Sequence, residues 1–203
     1  MGISVFPAPS SGIVGPKDLA LQQTLTSSGA VTIPAGITHV WAIVVSGGQA
    51  GWTNTGSGQY SSSGRVAGGY IAGWTTAANV VVVGAGGTPS VGLGGLSSYG
   101  QLKSPQTSTN TGFIGDGGAG SYYDGQAAAG GDSNFGRTGG TAGGTYTSGG
   151  GGAGLLANGG NKVSTLVAGA GGSGGGGGGG NGTSGPAGAS GGAGGGGCVL
   201  LYY

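Results

Sequence analysis

Between Gly169 and Gly197 the chain carries 19 glycines in 29 positions, with Gly174 to Gly180 uninterrupted, and then runs directly into Cys-Val-Leu-Leu-Tyr-Tyr. No other feature limits the possible folds so strongly. Glycine has no side chain to bury, and ordering ten of them costs roughly 10–20 kcal/mol of backbone entropy. The return must come from backbone hydrogen bonds, worth about 0.5–1.5 kcal/mol net each, and from close packing of bare backbone. A flexible tail would fade into polar residues, whereas the apolar, β-branched and aromatic CVLLYY has strand composition. The glycine run therefore reads as a bridge to a required strand.

Collagen is excluded, because it needs glycine at every third position and abundant proline, and this chain has unbroken glycine runs and only 7 prolines. Gly/Ser-rich coil is the competing reading. Charged residues make up only 4% of the chain (five Lys or Arg, four Asp, no Glu), unlike charge-rich disordered segments. An ordered alternative exists in the extended left-handed helix with three residues per turn and about 3.1 Å rise, whose N–H and C=O groups all point outward. A lone glycine helix melts, but several side by side bond to one another. The sequence thus predicts a bundle of polyglycine II helices pinned by strands.

Only five glycines fall in residues 1–45, so the chain divides compositionally near Ser46. Residues 1–29, with Pro7, Pro9 and Pro16 at the start, read as an extended arm, with KDLALQQTL as a short helical turn. Residues 30–203 form the glycine-rich β domain. Its clearest strand is Ile37 to Val45, with His39, Trp41, Ile43 and Val45 on one face. A second pair is Tyr70, Ala72 and Trp74 in alternation and the run VVVV before Gly84. Ser97-Ser98-Tyr99-Gly100 and Ser133-Asn134-Phe135-Gly136 plant an aromatic between glycine stretches. Trp41, Trp74, Tyr99 and Phe135 are assigned to the core.

A net charge of +1 without a basic cluster gives no footprint for nucleic acid. The apolar runs VWAIVV and VVVV are too short to insert in a membrane, and MGISVFPAPSSG has neither the basic nor the apolar region of a signal peptide. The single cysteine, Cys198, reads as a small buried apolar group.

Catalytic patterns are formal only. G-x-S-x-G occurs at Ser173 and again around Ser190, but the chain has one histidine, His39, inside a strand, and no strand-to-helix elbow. Asp116, Asp124 and Asp132 suit Asx turns better than a cation site. The expectation is no enzyme, no cofactor and no metal. Binding is better supported: Trp52, Tyr60, Tyr122, Tyr123 and Tyr146 offer aromatic faces for sugars, and Asp124 and Arg65 offer hydrogen bonds to their hydroxyls. Tyr122-Tyr123-Asp124 is the first choice for a glycan site, against the reading in which these rings pack on the bundle or a subunit interface.

Taken in order, VTIPAGITHVWAIVVSGG, VVVVGAGG, SSYG, SNFG followed by TGG, and GGAGGGGCVLLYY resemble the glycine-rich domain of tailed-bacteriophage virion proteins, found in tail fibres, tail-tip proteins and adhesins. The resemblance covers residues 30–203, and ISVFPAPSSG is similar to the leader of short phage tail proteins. It implies a small β-sandwich-like base with projecting glycine loops, a place in the virion tail, homo-oligomeric (trimeric or fibre-tip) assembly, and attachment to a host-surface glycan, with the N-terminal arm docked on other tail proteins. Some phage adhesins carry long aromatic-rich variable loops, whereas these loops are short and mostly Ser, Thr and Gly. The alternatives are a capsid decoration protein and, from another class, an ice-binding polyglycine bundle.

Overall fold

A computed structural model describes residues 16, 18–51, 66–89, 92–105, 117, 136–142, 148–164, 167–179 and 190–203. The strands are β1 (Leu21–Leu25), β2 (Gly29–Ala30), β3 (His39–Val45), β4 (Tyr70–Thr76), β5 (Val80–Val82), β6 (Ser98–Tyr99), β7 (Leu102–Lys103) and β8 (Cys198–Tyr202). They form two antiparallel four-stranded sheets, ordered β1-β8-β3-β4 and β2-β5-β6-β7. The protein is mainly β, with no helix among the described residues.

Strand alternation sends side chains to both faces of the first sheet. Val40, Ala42 and Val44 of β3 and Val199 and Leu201 of β8 meet Val81 of β5 and Tyr99 of β6, forming the core between the sheets. On the opposite face Ile43, Val45, Cys198, Leu200 and Tyr202 pack with Ala67 and Leu155. Strand β8 is thus covered on both faces and paired on both edges, by β1 and by β3. This is why the glycine run must deliver an apolar segment. Burying Val199, Leu200 and Leu201 contributes on the order of 5–9 kcal/mol.

The first strand corrects two expectations. KDLALQQTL does not make a helical turn: Leu19 N–H bonds Pro16 C=O at 3.1 Å, and Leu21–Leu25 is then a strand. Residues assigned to the arm therefore join the first sheet. The free edge of β8 supplies pairing that local propensity does not register.

In SSYG, Tyr99 is 1% exposed. Its hydroxyl donates to Ala78 C=O at 2.9 Å and accepts from Ala78 N–H at 3.0 Å. Gly100, at φ 55°, opens the two-residue turn from β6 to β7, where glycine at the first central position gives the hairpin the twist it needs.

Past β3 the hydrogen-bond period changes from two to three. Ser46 and Gln49 N–H donate to Gly69 and Val66, Gly47 and Ala50 to Gly95 and Gly92, and Gly48 and Gly51 to Gly195 and Gly192. Longer relays then cross the glycine segments. One runs from Gly51 N–H to Gly192 C=O (2.8 Å), Gly192 to Gly179 (2.9 Å), Gly179 to Gly169 (2.9 Å) and Gly169 to Gly149 (3.0 Å). The other runs from Gly48 to Gly195 (2.9 Å), Gly195 to Gly176 (2.8 Å), Gly176 to Gly172 (2.9 Å) and Gly172 to Gly152 (2.9 Å). Every segment advances three residues between the relays. Backbone lies directly on backbone: a Cβ on Gly51 would lie 2.6 Å from the carbonyl carbon of Gly179.

Candidate functional site

Tyr122, Tyr123, Asp124, Trp52 and Tyr60 lie outside the described residues, as do Tyr146, Arg65, Asp116, Asp132 and Phe135. The residues that flank them are described, and they converge. Gly51 precedes Trp52, and Gln49 N–H bonds Val66 C=O at 3.1 Å, which closes the base of the 52–65 excursion. Gly192 N–H bonds Gly179 C=O at 2.9 Å across the 180–189 excursion. Gly117, just before the stretch that carries Tyr122 to Asp124, packs on Gly178 and Gly179: a Cβ there would lie 2.9 Å from Gly179 N. The relay through Gly51, Gly192, Gly179, Gly169 and Gly149 ties the residues beside positions 52, 180 and 191 together at one level. Gly51, next to Trp52, and Gly117, five residues before Tyr122, thus lie against the same Gly178–Gly179 backbone.

A second surface lies on the first sheet. Leu21 opposes Tyr202, Tyr202 opposes Trp41, and Trp41 opposes Trp74, a row across all four strands. Directly opposed residues share a face, so these side chains form one apolar row. Trp41 and Trp74 meet edge to face, centroids 6.0 Å apart at 86°. Tyr202 is 3% exposed, and burial raises its hydroxyl pKa. Trp74 is 56% exposed, which corrects its assignment to the core; Trp41 is half-buried, and Tyr99 is the core aromatic expected. The cause is placement: β4 is an edge strand, and the Leu155 cluster packs Trp41 and Tyr70 but does not reach Trp74.

The sequence's chemical candidates are kept apart. His39 stands exposed at the start of β3, its Nδ1 3.1 Å from Thr38 Oγ1. Cys198 pairs with Val45 at the far end of that strand, fully buried, and desolvation pushes its thiol up to about 12. No histidine–cysteine pair can form across that separation. Ser173 is exposed at the start of a turn, and its carbonyl accepts the N–H groups of Leu156 (3.0 Å) and Ala157 (3.2 Å). Among the described residues no three His, Cys, Asp or Glu gather, and no helix is long and apolar enough to cross a membrane.

Sequence reasoning missed the serine cluster where β3 passes into glycine. Ser97 Oγ donates to Val45 C=O (2.7 Å) and accepts from Gly84 N–H (2.9 Å). Ser104 Oγ donates to Ser97 C=O (3.0 Å), accepts from Ser97 N–H (3.1 Å) and lies 2.7 Å from Ser46 Oγ, which also bonds Pro105 C=O. All three serines are buried. The one available signal was Ser97 in the repeated Ser-x-aromatic-Gly pattern. No protein-family model, curated protein or solved structure matches this chain.

Proposed function

We propose that this chain is a non-enzymatic structural protein of a phage virion tail, at a fibre or tip, that contributes to host-surface attachment. The observation that carries this reading is the convergence of Gly51, Gly179 and Gly192 on one hydrogen-bonded level, with Gly117 packed against Gly178 and Gly179 beside it. Recognition residues on short loops need a scaffold whose bases do not move.

In this reading the relays belong to a bundle of polyglycine II helices. Their three-residue step is the period of that helix, and each segment has three faces on which to bond neighbours. Positive φ among the described glycines of the segments is confined to Gly92, Gly136, Gly174 and Gly175, consistent with one left-handed sense elsewhere. The sandwich anchors the bundle, the N-terminal arm docks on other tail proteins, and Trp52, Tyr60, Tyr122, Tyr123 and Asp124 take a host glycan by ring stacking and hydrogen bonding.

The test is binding of labelled full-length protein to intact cells of candidate host bacteria, beside a Tyr122→Ala, Tyr123→Ala double variant. Wild-type binding lost in the double variant supports attachment through that loop. Folded wild type that binds none of these hosts removes the attachment role.

A further inference from the structure

We propose that β4 is a self-association edge, through which two copies of this chain pair antiparallel about a two-fold axis at Gly73. The inference does not rest on the attachment reading. It begins with the direction of backbone groups. Ala77 N–H bonds Thr38 C=O at 2.9 Å, and Ser46 N–H bonds Gly69 C=O at 2.9 Å. These bonds bracket the β3–β4 ladder and fix its phase: Thr75, Gly73 and Ile71 exchange bonds with β3, and Thr76, Trp74, Ala72 and Tyr70 point theirs away from the sheet. Thr76 N–H is met by Gln101 Oε1 at 3.3 Å, and Tyr70 is engaged elsewhere. Among the described residues nothing bonds the outward N–H and C=O groups of Ala72 and Trp74, and both residues are exposed.

An open edge is a template for another strand, and proteins usually guard it with charge, proline, bulges or shortness. The other three edges here are guarded. Strand β1 has a register irregularity between Leu21 and Gln23, β2 is two residues long, and β7 is two residues long with Lys103. Strand β4, YIAGWTT, has seven residues and neither charge nor proline.

The sequence of β4 fits itself. Pairing about Gly73 sets Ala72 against Trp74 of the second copy and the reverse, so the four open backbone groups of each strand meet their counterparts. Each indole then lies over a methyl group on the same face, with bare backbone at the axis. A register shifted by two residues, with the axis at Ala72, sets Tyr70, already engaged, against Trp74 and loses this match.

Sedimentation of the full chain at rising concentration tests the proposal. The expected mass is twice the 18.5 kDa chain. Ala72→Pro removes an outward N–H without touching the β3 ladder, a place where an edge strand tolerates proline, and is expected to run as a monomer with an unchanged circular dichroism spectrum. Trp74→Lys keeps the N–H and sets charge in the pair, and is expected to weaken association at least about tenfold. If the proline variant fails to fold, the lysine variant decides. A wild type that stays monomeric into the high micromolar range, a trimer, or a dimer that survives both changes overturns the proposal.

Discussion

Gly195 and Gly196 are adjacent in the same glycine run, yet alanine at the two positions should have opposite effects. A Cβ on Gly195 would lie 2.6 Å from the carbonyl carbon of Gly172 and 3.0 Å from the oxygen of Gly171. A Cβ on Gly196 would meet nothing within 4 Å, and its φ is not positive. The three-residue period explains the contrast: Gly196 shares a face with Ala193, an exposed alanine already present, whereas Gly192 and Gly195 share the face that lies on residues 169–172. To restore ordinary contact at Gly195, the neighbouring segment must retreat by about 1 Å. That would stretch the bonds from Gly171 N–H to Ala193 C=O (2.8 Å) and from Gly174 N–H to Gly196 C=O (2.7 Å) to or beyond the usual limit. Losing the two bonds costs about 0.5–1.5 kcal/mol net each, so Gly195→Ala should lose on the order of 1–3 kcal/mol, a sizeable part of a domain's stability. Gly196→Ala restricts only the unfolded chain and should gain roughly 0.4–1 kcal/mol. At about 2–4 °C per kcal/mol for a chain this long, calorimetry should show Gly196→Ala melting slightly above wild type and Gly195→Ala well below it. Equal melting temperatures for the two variants would refute the packing argument.

Ser97→Ala strips Val45 C=O and Gly84 N–H of their shared partner in a buried site. It should cost about 2–5 kcal/mol and be visible as a lower denaturant midpoint; an unchanged midpoint would mean that the serine cluster does not hold the junction. Cys198 sets a pH dependence. Its native thiol stays protonated to about 12 while an unfolded one ionises near 9.0, so above pH 9 the unfolded chain binds fewer protons and stability falls as pH rises. The slope should approach about 1.4 kcal/mol per pH unit. Burial also raises Tyr99 and Tyr202, adding a slope of the same sign above pH 10. Urea melts of wild type and Cys198→Ala across the alkaline range should differ by the cysteine's part, and parallel curves would contradict it.

The strands legible in the sequence were those with a local pattern. The alternating Ile37–Val45 region contains β3, the Tyr70–Trp74 alternation lies in β4, Val80–Val82 is β5, and CVLLYY holds β8. Their alternation and β-branched composition act within a few residues, so no partner is needed to see them. Even VVVV follows this rule, for Val81 is buried while Val80 and Val82 are exposed. The glycine tracts also announced their requirement, since residues without side chains recover their entropy only through backbone bonds.

The candidate ring-bearing residues were named from composition alone, and what became visible around them is the convergence of their flanking glycines. That convergence depends on contacts between segments more than a hundred residues apart, such as Gly51 with Gly192. The same reason covers the corrections. LQQTL looks helical in isolation and becomes a strand because β8 offers an edge, some 180 residues along the chain. Trp74 has a core residue's chemistry and a surface residue's position because β4 lies at the end of its sheet. By itself the sequence determined that the segments of β3, β4, β5 and β8 are strands and that the glycines must pack on one another. Only the tertiary structure decided which strand lies in the centre, which strands form the edges and which glycine segments bond one another, because each of those depends on neighbours that local pattern does not encode.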